Sequence, residues 1–186
     1  CRLTENPEQM TETPPTRAEL VRILEHLRAA QEPFWAAWKR EQGLSPHTRP
    51  LSTGMCRFST AFLACALGDG TPHQGMASYH GADPGTLAGM RGTPGGFWDP
   101  RGTWSDHMWL VFEAAEGPTI LDVTADQFGA APTIVAPADD ARYRRNWKQT
   151  FTRHHFTEVL PRARGWLAEA RARGALDDIP RSGDTA

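Results

Sequence analysis

Three residues that lie far apart in the chain have the side chains needed for nucleophilic catalysis: Cys56, His107 and Asp122. Cys56 follows Ser-Thr-Gly at 52–54 and lies near the start of a predicted helix, where backbone N–H groups favour an anion. This position favours the thiolate form of the side chain, which is the reactive form. A nucleophilic cysteine also needs a base, and the base needs a group that orients it.

His107 and Asp122 lie on two consecutive predicted strands. Residues 107–113 (HMWLVFE) are apolar on both faces and residues 119–124 (TILDVT) alternate, and both patterns are typical of strands. The short connection predicts an antiparallel hairpin that turns at 114–115 and places His107 directly opposite Asp122. Opposed residues have Cβ atoms about 4.5–5.5 Å apart, within reach of an imidazole–carboxylate hydrogen bond. A carboxylate among apolar neighbours needs such a partner.

The other cysteines have simpler interpretations. Cys65 lies nine residues after Cys56 and therefore roughly 13 Å further along a helix, too far for a disulfide, so we expect a core residue. Cys1 belongs to a polar tail. A zinc site that combines Cys56 with His73 or His80 is a weaker alternative, because the chain has no Cys-x-x-Cys or His-x-x-x-His spacing. We expect neither a metal nor a cofactor.

Helices must position these residues. Leu20, Ile23, Leu24 and Leu27 recur at helical spacing and predict a helix over 15–42, which Pro33 should break or restart. A second helix is predicted over 53–67, buried because it is apolar around most of its girth, and ended by Gly68. A short strand is predicted at 132–136 and a last helix at 156–173.

The segment 69–104 has no periodic pattern. It contains nine of the 17 glycines and four of the 15 prolines. Long stretches of this kind usually contain short strands or line a functional site.

Composition limits the partners. The chain has 186 residues and a net charge of -2, without the basic excess that favours nucleic acid or an anionic membrane, and no apolar run long enough to span a bilayer. We expect one domain over 17–179 with disordered tails at 1–16 and 180–186, and Met10 is a candidate natural start. The basic run 142–148 is interpreted as a solvated face or a surface that binds an acidic peptide.

Three short motifs together resemble a known family: Gly54-Met55-Cys56 at a helix start, His107-Met108-Trp109 at a strand start, and Leu121-Asp122 in the next strand. In this order they are similar to the transglutaminase-like branch of the papain-like cysteine enzymes, over residues 52–129. That superfamily includes transglutaminases, peptidases, protein-glutamine deamidases, arylamine N-acetyltransferases and leader peptidases of lasso-peptide pathways. The resemblance implies an α+β fold in which N-terminal helices, one of them central and carrying Cys56, pack on a small antiparallel sheet beside a C-terminal helix.

The resemblance also implies acyl transfer. Cys56 would attack an amide carbonyl, His107 would protonate the leaving amine, and Asp122 would hold the imidazole. The backbone N–H of Cys56 and a second donor, for which Gln127 and Trp104 are candidates, would bind the oxyanion.

Three further residues are substrate-binding candidates: Trp98 and Trp109 as walls, and Gly96 as a point where substrate backbone approaches closely. The expected activity is hydrolysis of peptide or glutamine side-chain amides, as a peptidase or a protein-glutamine deamidase, in the cytoplasm or as a secreted effector. The alternatives are an acyltransferase or transglutaminase with the same triad, and a catalytically silent binding module of the same fold.

Overall fold

The computed structural model describes residues 13–45, 50–68, 71–75, 96–98, 104–105, 107–145, 155–177 and 179. These residues form an α+β structure with three α-helices: α1 (Arg17–Glu41), α2 (Cys56–Leu67) and α3 (Leu160–Ala172). A 3₁₀ turn covers Ala125–Phe128, and a π-helical segment, His155–Val159, leads into α3. The strands are β1 (Thr71–Gly75), β2 (Gly96–Trp98), β3 (Trp104–Ser105), β4 (His107–Ala114), β5 (Gly117–Asp122), β6 (Ile134–Pro137) and β7 (Tyr143–Arg144).

Helix α1 begins with a capping box and continues through its proline. The Glu19 N–H donates to Thr16 Oγ1 (3.3 Å) and the Thr16 N–H donates to Glu19 Oε2 (2.8 Å). The predicted break at Pro33 is wrong, because the helix runs without interruption from Arg17 to Glu41. Phe34 and Trp35, the next two residues, are both buried, and this packing offsets the backbone hydrogen bond that a proline removes.

The predicted N-terminal tail overlaps the described residues at 13–16. Thr16 caps α1, and the Ala115 N–H donates to the Pro15 carbonyl at 3.0 Å. These contacts anchor the chain next to the β4–β5 turn. The remainder of that predicted tail, and the tail at 180–186, lie outside the described residues.

The strands of the described residues form two antiparallel sheets, with strand orders β1-β4-β5-β6 and β3-β2-β7. The predicted strand pair is present, but its turn lies one residue later than expected. Ala114 pairs with Gly117 and Leu110 with Leu121, so the chain reverses at 115–116. Gly117 has φ +96°, a conformation that glycine adopts readily and that suits the end of a tight turn.

This turn corrects the predicted pairing of His107 with Asp122. Continuing the observed register places Trp109 opposite Asp122, so His107 is a diagonal neighbour two positions away. A displacement of two residues leaves every side chain on its original face, whereas a displacement of one would have moved His107 to the other face. The diagonal distance of about 7–8 Å between Cα atoms is still within reach of long side chains.

The main hydrophobic core lies between the helices and one face of the larger sheet. Helix α2 packs against α3 and β4, and the fully buried residues include Leu24, Trp35, Phe62, Leu110 and Leu121. Cys65 is half-buried and packs against this core. A smaller cluster forms around Trp109, Ile120, Ile134, Phe128 and Tyr143.

The glycine-rich segment contains β1, β2 and the first residue of β3, which confirms that it holds short strands; its other residues lie outside the described part of the chain. None of the helices in the described part is both long and apolar enough to cross a membrane.

Candidate functional site

Cys56 is the first residue of α2, three residues later than the predicted start of the helix. The preceding loop folds back on itself, because the Met55 N–H donates to the Ser52 carbonyl at 2.9 Å and Gly54 has φ +78°. Met55 makes no capping hydrogen bond through its side chain. The first backbone N–H groups of α2 have no partner within the helix, so an anion at Cys56 would meet unsatisfied donors.

His107 and Asp122 form a buried pair. His107 Nε2 lies 2.6 Å from Asp122 Oδ2, and each residue is only 1% exposed. The Tyr143 hydroxyl donates to the same carboxylate oxygen at 2.9 Å. The other oxygen accepts from the Thr124 N–H at 2.8 Å and from the Thr124 hydroxyl at 3.1 Å. Four donors therefore hold the carboxylate in one orientation.

The contacts of this pair decide its charge. Burial by itself lowers the pKa of His107, but the charge and hydrogen bond of Asp122, together with the Cys56 side chain, outweigh burial and raise it from 6.5 to about 10. Burial raises the pKa of Asp122, but the charge and hydrogen bond of His107, the Thr124 N–H and the Tyr143 hydroxyl bring it below 3.8. At neutral pH the pair is therefore an imidazolium and a carboxylate.

Tyr143 stays protonated beside this pair. Burial and the adjacent Asp122 charge raise the pKa of its hydroxyl well above 10. The ring packs edge-on against Trp109, with centroids 5.1 Å apart. Tyr143 is therefore a fixed donor to the carboxylate.

Cys56 and His107 line one open cavity of about 600 Å³. Its apolar walls include Trp38 and Phe58, whose ring centroids are 5.5 Å apart. Besides His107, the charged side chains among the described residues that line the cavity are those of Arg57, Glu158 and Arg162. Cys56 is half-buried at this cavity, whereas the imidazole of His107 lies beneath its surface.

Gln127 also lines this cavity, and it holds the loop that precedes Cys56. Its Oε1 accepts from the Gly54 N–H at 3.1 Å, and its Nε2 donates to the Thr124 carbonyl at 2.9 Å. The side chain thus joins the loop before Cys56 to the turn that follows Asp122. Its predicted role as an oxyanion donor stays a prediction.

Trp109 is not among the described residues that line this cavity, and its predicted role as a wall of the substrate site stays a prediction. Trp109 is 3% exposed, packs in the smaller core cluster, and has its ring centroid 6.2 Å from that of His107. Residues two apart in a strand share a face, so Trp109 lies on the His107 face but deeper in the sheet, where Ile120 and Tyr143 cover it.

The other substrate-binding candidates are described only in their backbone. Trp98 of β2 pairs with Trp104 of β3, and Gly96 pairs with Arg144 of β7. Their side chains lie outside the described part of the structure, so their predicted roles stay predictions.

A network around Asp126 was not predicted. Arg28 of α1 donates to both oxygens of Asp126, at 2.8 and 3.1 Å, and Ser52 donates a short hydrogen bond to the same carboxylate. Arg28 also donates to the carbonyls of Val123 and Pro132. This network ties the loop before Cys56 to α1 and to the turn after β5.

The sequence pattern contains little that identifies Tyr143, Arg28 or Asp126 as part of the site. Tyr143 lies among arginines that the pattern assigns to a solvated face, and Arg28 and Asp126 are 98 residues apart. A serine four residues before the cysteine is the only local signal, and it does not name its partner.

Among the described residues, no group of three or more His, Cys, Asp or Glu side chains is arranged to hold a metal ion. Of the two histidines in the zinc alternative, His73 is described only in its backbone and His80 lies outside the described residues.

Comparisons with models of protein families, with curated proteins and with solved structures find no match for this chain. Inference about function therefore depends on the geometry of Cys56, His107 and Asp122.

Proposed function

We propose that this chain is a cysteine-dependent acyl-transfer enzyme that hydrolyses peptide amides or glutamine side-chain amides through a thioester on Cys56. One observation carries the proposal: Cys56 at the start of α2 lines the same open cavity as His107, whose imidazole is paired with buried Asp122. A structural role alone would not require a buried charged pair, its carboxylate held by three further donors, beside a half-buried thiol at a cavity.

The first half of the reaction forms the thioester. The thiolate of Cys56 attacks the amide carbonyl carbon, a C–S bond forms, and the carbonyl electrons move to oxygen. His107 then donates its proton to the amide nitrogen, the C–N bond breaks, and an amine or ammonia leaves. The oxyanion is bound by the Cys56 N–H at the uncapped start of α2 and by a second donor, for which Gln127 and Trp104 are the candidates.

The second half releases the acid. Neutral His107 takes a proton from water, which attacks the thioester carbonyl, and the carboxylic acid departs as Cys56 returns to the thiolate. Asp122 keeps the imidazole in one tautomer and balances its positive charge in both halves.

The proposal includes a papain/transglutaminase-like fold, which the order and position of the three residues support. Cysteine opens a helix that packs on an antiparallel sheet, and the histidine and aspartate follow in chain order on neighbouring strands. The C-terminal helix α3 packs against α2 on the side of the core.

Alkylation with iodoacetamide at mildly acidic pH tests the nucleophile. We expect Cys56 to be labelled much faster than Cys65, which is also half-buried and serves as the internal control, and His107→Ala to remove the difference. Labelling of Cys56 no faster than that of Cys65 or of a free model thiol would contradict the proposal.

Mass spectrometry of a peptide library incubated with the parent protein and with Cys56→Ala identifies the reaction. Conversion of an amide to an acid adds about one dalton, whereas peptidase activity produces fragments. Products that appear only when an amine is added, and never with water alone, would show a transferase instead. The absence of any product that depends on Cys56 would favour a binding module.

A further inference from the structure

Arg57, the residue after the nucleophile candidate, is a cation at the cavity wall. Its side chain lines the same cavity as Cys56 and His107, and the residue is half-buried. Within the described part of the chain it makes no ion pair and no side-chain hydrogen bond. A guanidinium that is partly removed from water loses hydration that only a hydrogen-bond acceptor can replace.

The other half-buried arginines of the described residues have acceptors. Arg17 donates to the Thr119 hydroxyl at 3.0 Å, and Arg28 binds the carboxylate of Asp126 at 2.8 Å. Arg162, the second arginine at the cavity, is exposed and donates to Glu41 at 3.3 Å. Arg57 thus differs from its counterparts in having its donors directed to no acceptor of the described chain.

The remaining charges at the cavity do not neutralise Arg57. Glu158 is the only carboxylate among the described residues that line the cavity, and it is exposed to water and forms no ion pair with Arg57 there. The uncapped start of α2 and the charged form of His107 also favour negative charge nearby. Trp38 and Phe58 give part of the cavity an apolar wall, and an ion pair is stronger next to apolar surface than in bulk water.

We propose that Arg57 binds a carboxylate of the substrate, so that the amides this site cleaves lie within about one residue of an acidic group. This inference rests on the proposed function, because it names the substrate class of the same site. The planar guanidinium binds a carboxylate through two parallel hydrogen bonds and so positions the neighbouring amide carbonyl at the sulfur of Cys56. The carboxylate comes either from an acidic side chain or from a chain terminus.

A set of chloroacetyl reagents tests the inference without a known substrate. N-chloroacetyl-glycine carries a terminal carboxylate, the α-amide of N-chloroacetyl-aspartic acid carries an acidic side chain, N-chloroacetyl-glycinamide is neutral, and N-chloroacetyl-lysine amide is cationic. The rate of Cys56 alkylation by each reagent is measured by mass spectrometry of the full chain. We expect at least one anionic reagent to react about tenfold faster than the neutral one, and the cationic reagent to be slowest.

Two variants assign the preference to Arg57. In Arg57→Gln the anionic-to-neutral rate ratio falls towards one, and in Arg57→Lys it is intermediate, because the charge remains without the paired donors. Arg164→Gln is the matched control: it removes the same charge at an exposed position outside the cavity and keeps the parent ratio.

The outcomes separate this inference from the proposed function. If Cys56 reacts faster than Cys65 with the neutral reagent but the parent shows no preference for an anionic reagent, the substrate class is wrong and the proposed function remains. A preference that persists in Arg57→Gln also overturns the role of Arg57. If Cys56 reacts no faster than Cys65 with any reagent, both proposals fail. If Arg57→Gln fails to fold, the anionic-to-neutral rate ratio of the parent protein alone decides the substrate class.

Discussion

Replacement of Asp122 by asparagine gives the most direct test of the buried charged pair. The carboxylate accepts from His107 and Tyr143 on one oxygen and from the Thr124 N–H and hydroxyl on the other. An asparagine at this position would keep the volume but present an NH₂ group to one of these two sets of donors. Because the site is buried, water cannot replace the lost acceptor.

The expected loss of stability follows from the pKa shift of His107. A rise in the pKa of His107 from 6.5 to about 10 corresponds to about 5 kcal/mol that favours its protonated form in the folded state. Loss of one partner from a buried ion pair typically costs about 3–5 kcal/mol, so we expect a loss of this size in the free energy of unfolding at neutral pH. The pKa is raised on folding, so this contribution is fully present below the unfolded value of 6.5 and disappears as pH rises through about 10.

Urea unfolding monitored by tryptophan fluorescence measures the effect. At about pH 6 the Asp122→Asn variant should lose about 3–5 kcal/mol, and above about pH 10.5 the loss should shrink to about 1–2 kcal/mol, the cost of the altered hydrogen bonds. The control is Asp140→Asn, which removes an ion pair with Arg142, whose side chain is 44% exposed. A partly exposed pair of this kind is worth about 0–1 kcal/mol.

Two results would refute the reasoning. A loss below about 1 kcal/mol near pH 6 would show that His107 and Asp122 are not a charged pair. A large loss of equal size at both pH values would show that packing or hydrogen bonding dominates the effect, with no contribution from the histidine charge.

Two further substitutions test the residues around the pair. Tyr143→Phe removes a donor at 2.9 Å from Asp122 while keeping the ring, so it should cost about 1–2 kcal/mol. The pKa of Asp122 should also move up towards its ordinary value, which would shift the acid limb of a stability–pH profile to higher pH; a profile unchanged in position would contradict this role. Asp126→Asn removes the charge that Arg28 binds and should cost about 2–3 kcal/mol and slow Cys56 alkylation, since the loop before it is released. The control is Glu32→Gln, which breaks only an (i, i+4) pair with Arg28; the Glu32 side chain is 42% exposed, so the free energy of unfolding should change by less than about 0.5 kcal/mol. Equal effects of Asp126→Asn and Glu32→Gln would count against the network.

The helices and strands near the site were predictable because their patterns are local. Helical spacing located α1 to within a few residues, and apolar runs located β4 and β5. The error at Pro33 arose because propensity describes an isolated helix, whereas buried neighbours hold this one together. The predicted hairpin turn was one residue too early. This shifts the strand pairing by two residues, and because side chains alternate between faces, His107 and Asp122 still share a face.

The sequence alone predicts which residues could react: a cysteine near a helix start, and a histidine and an aspartate on one face of a hairpin. These inferences depend on neighbours a few residues apart, which share the period of a helix or a strand. Only the tertiary structure decided what surrounds them. Tyr143 donates to Asp122, 21 positions away in the chain, and Arg28 donates to Asp126, 98 positions away. Arg57 lines the cavity. Contacts of this range depend on how the helices pack on the sheet, and a local pattern carries no information about that packing.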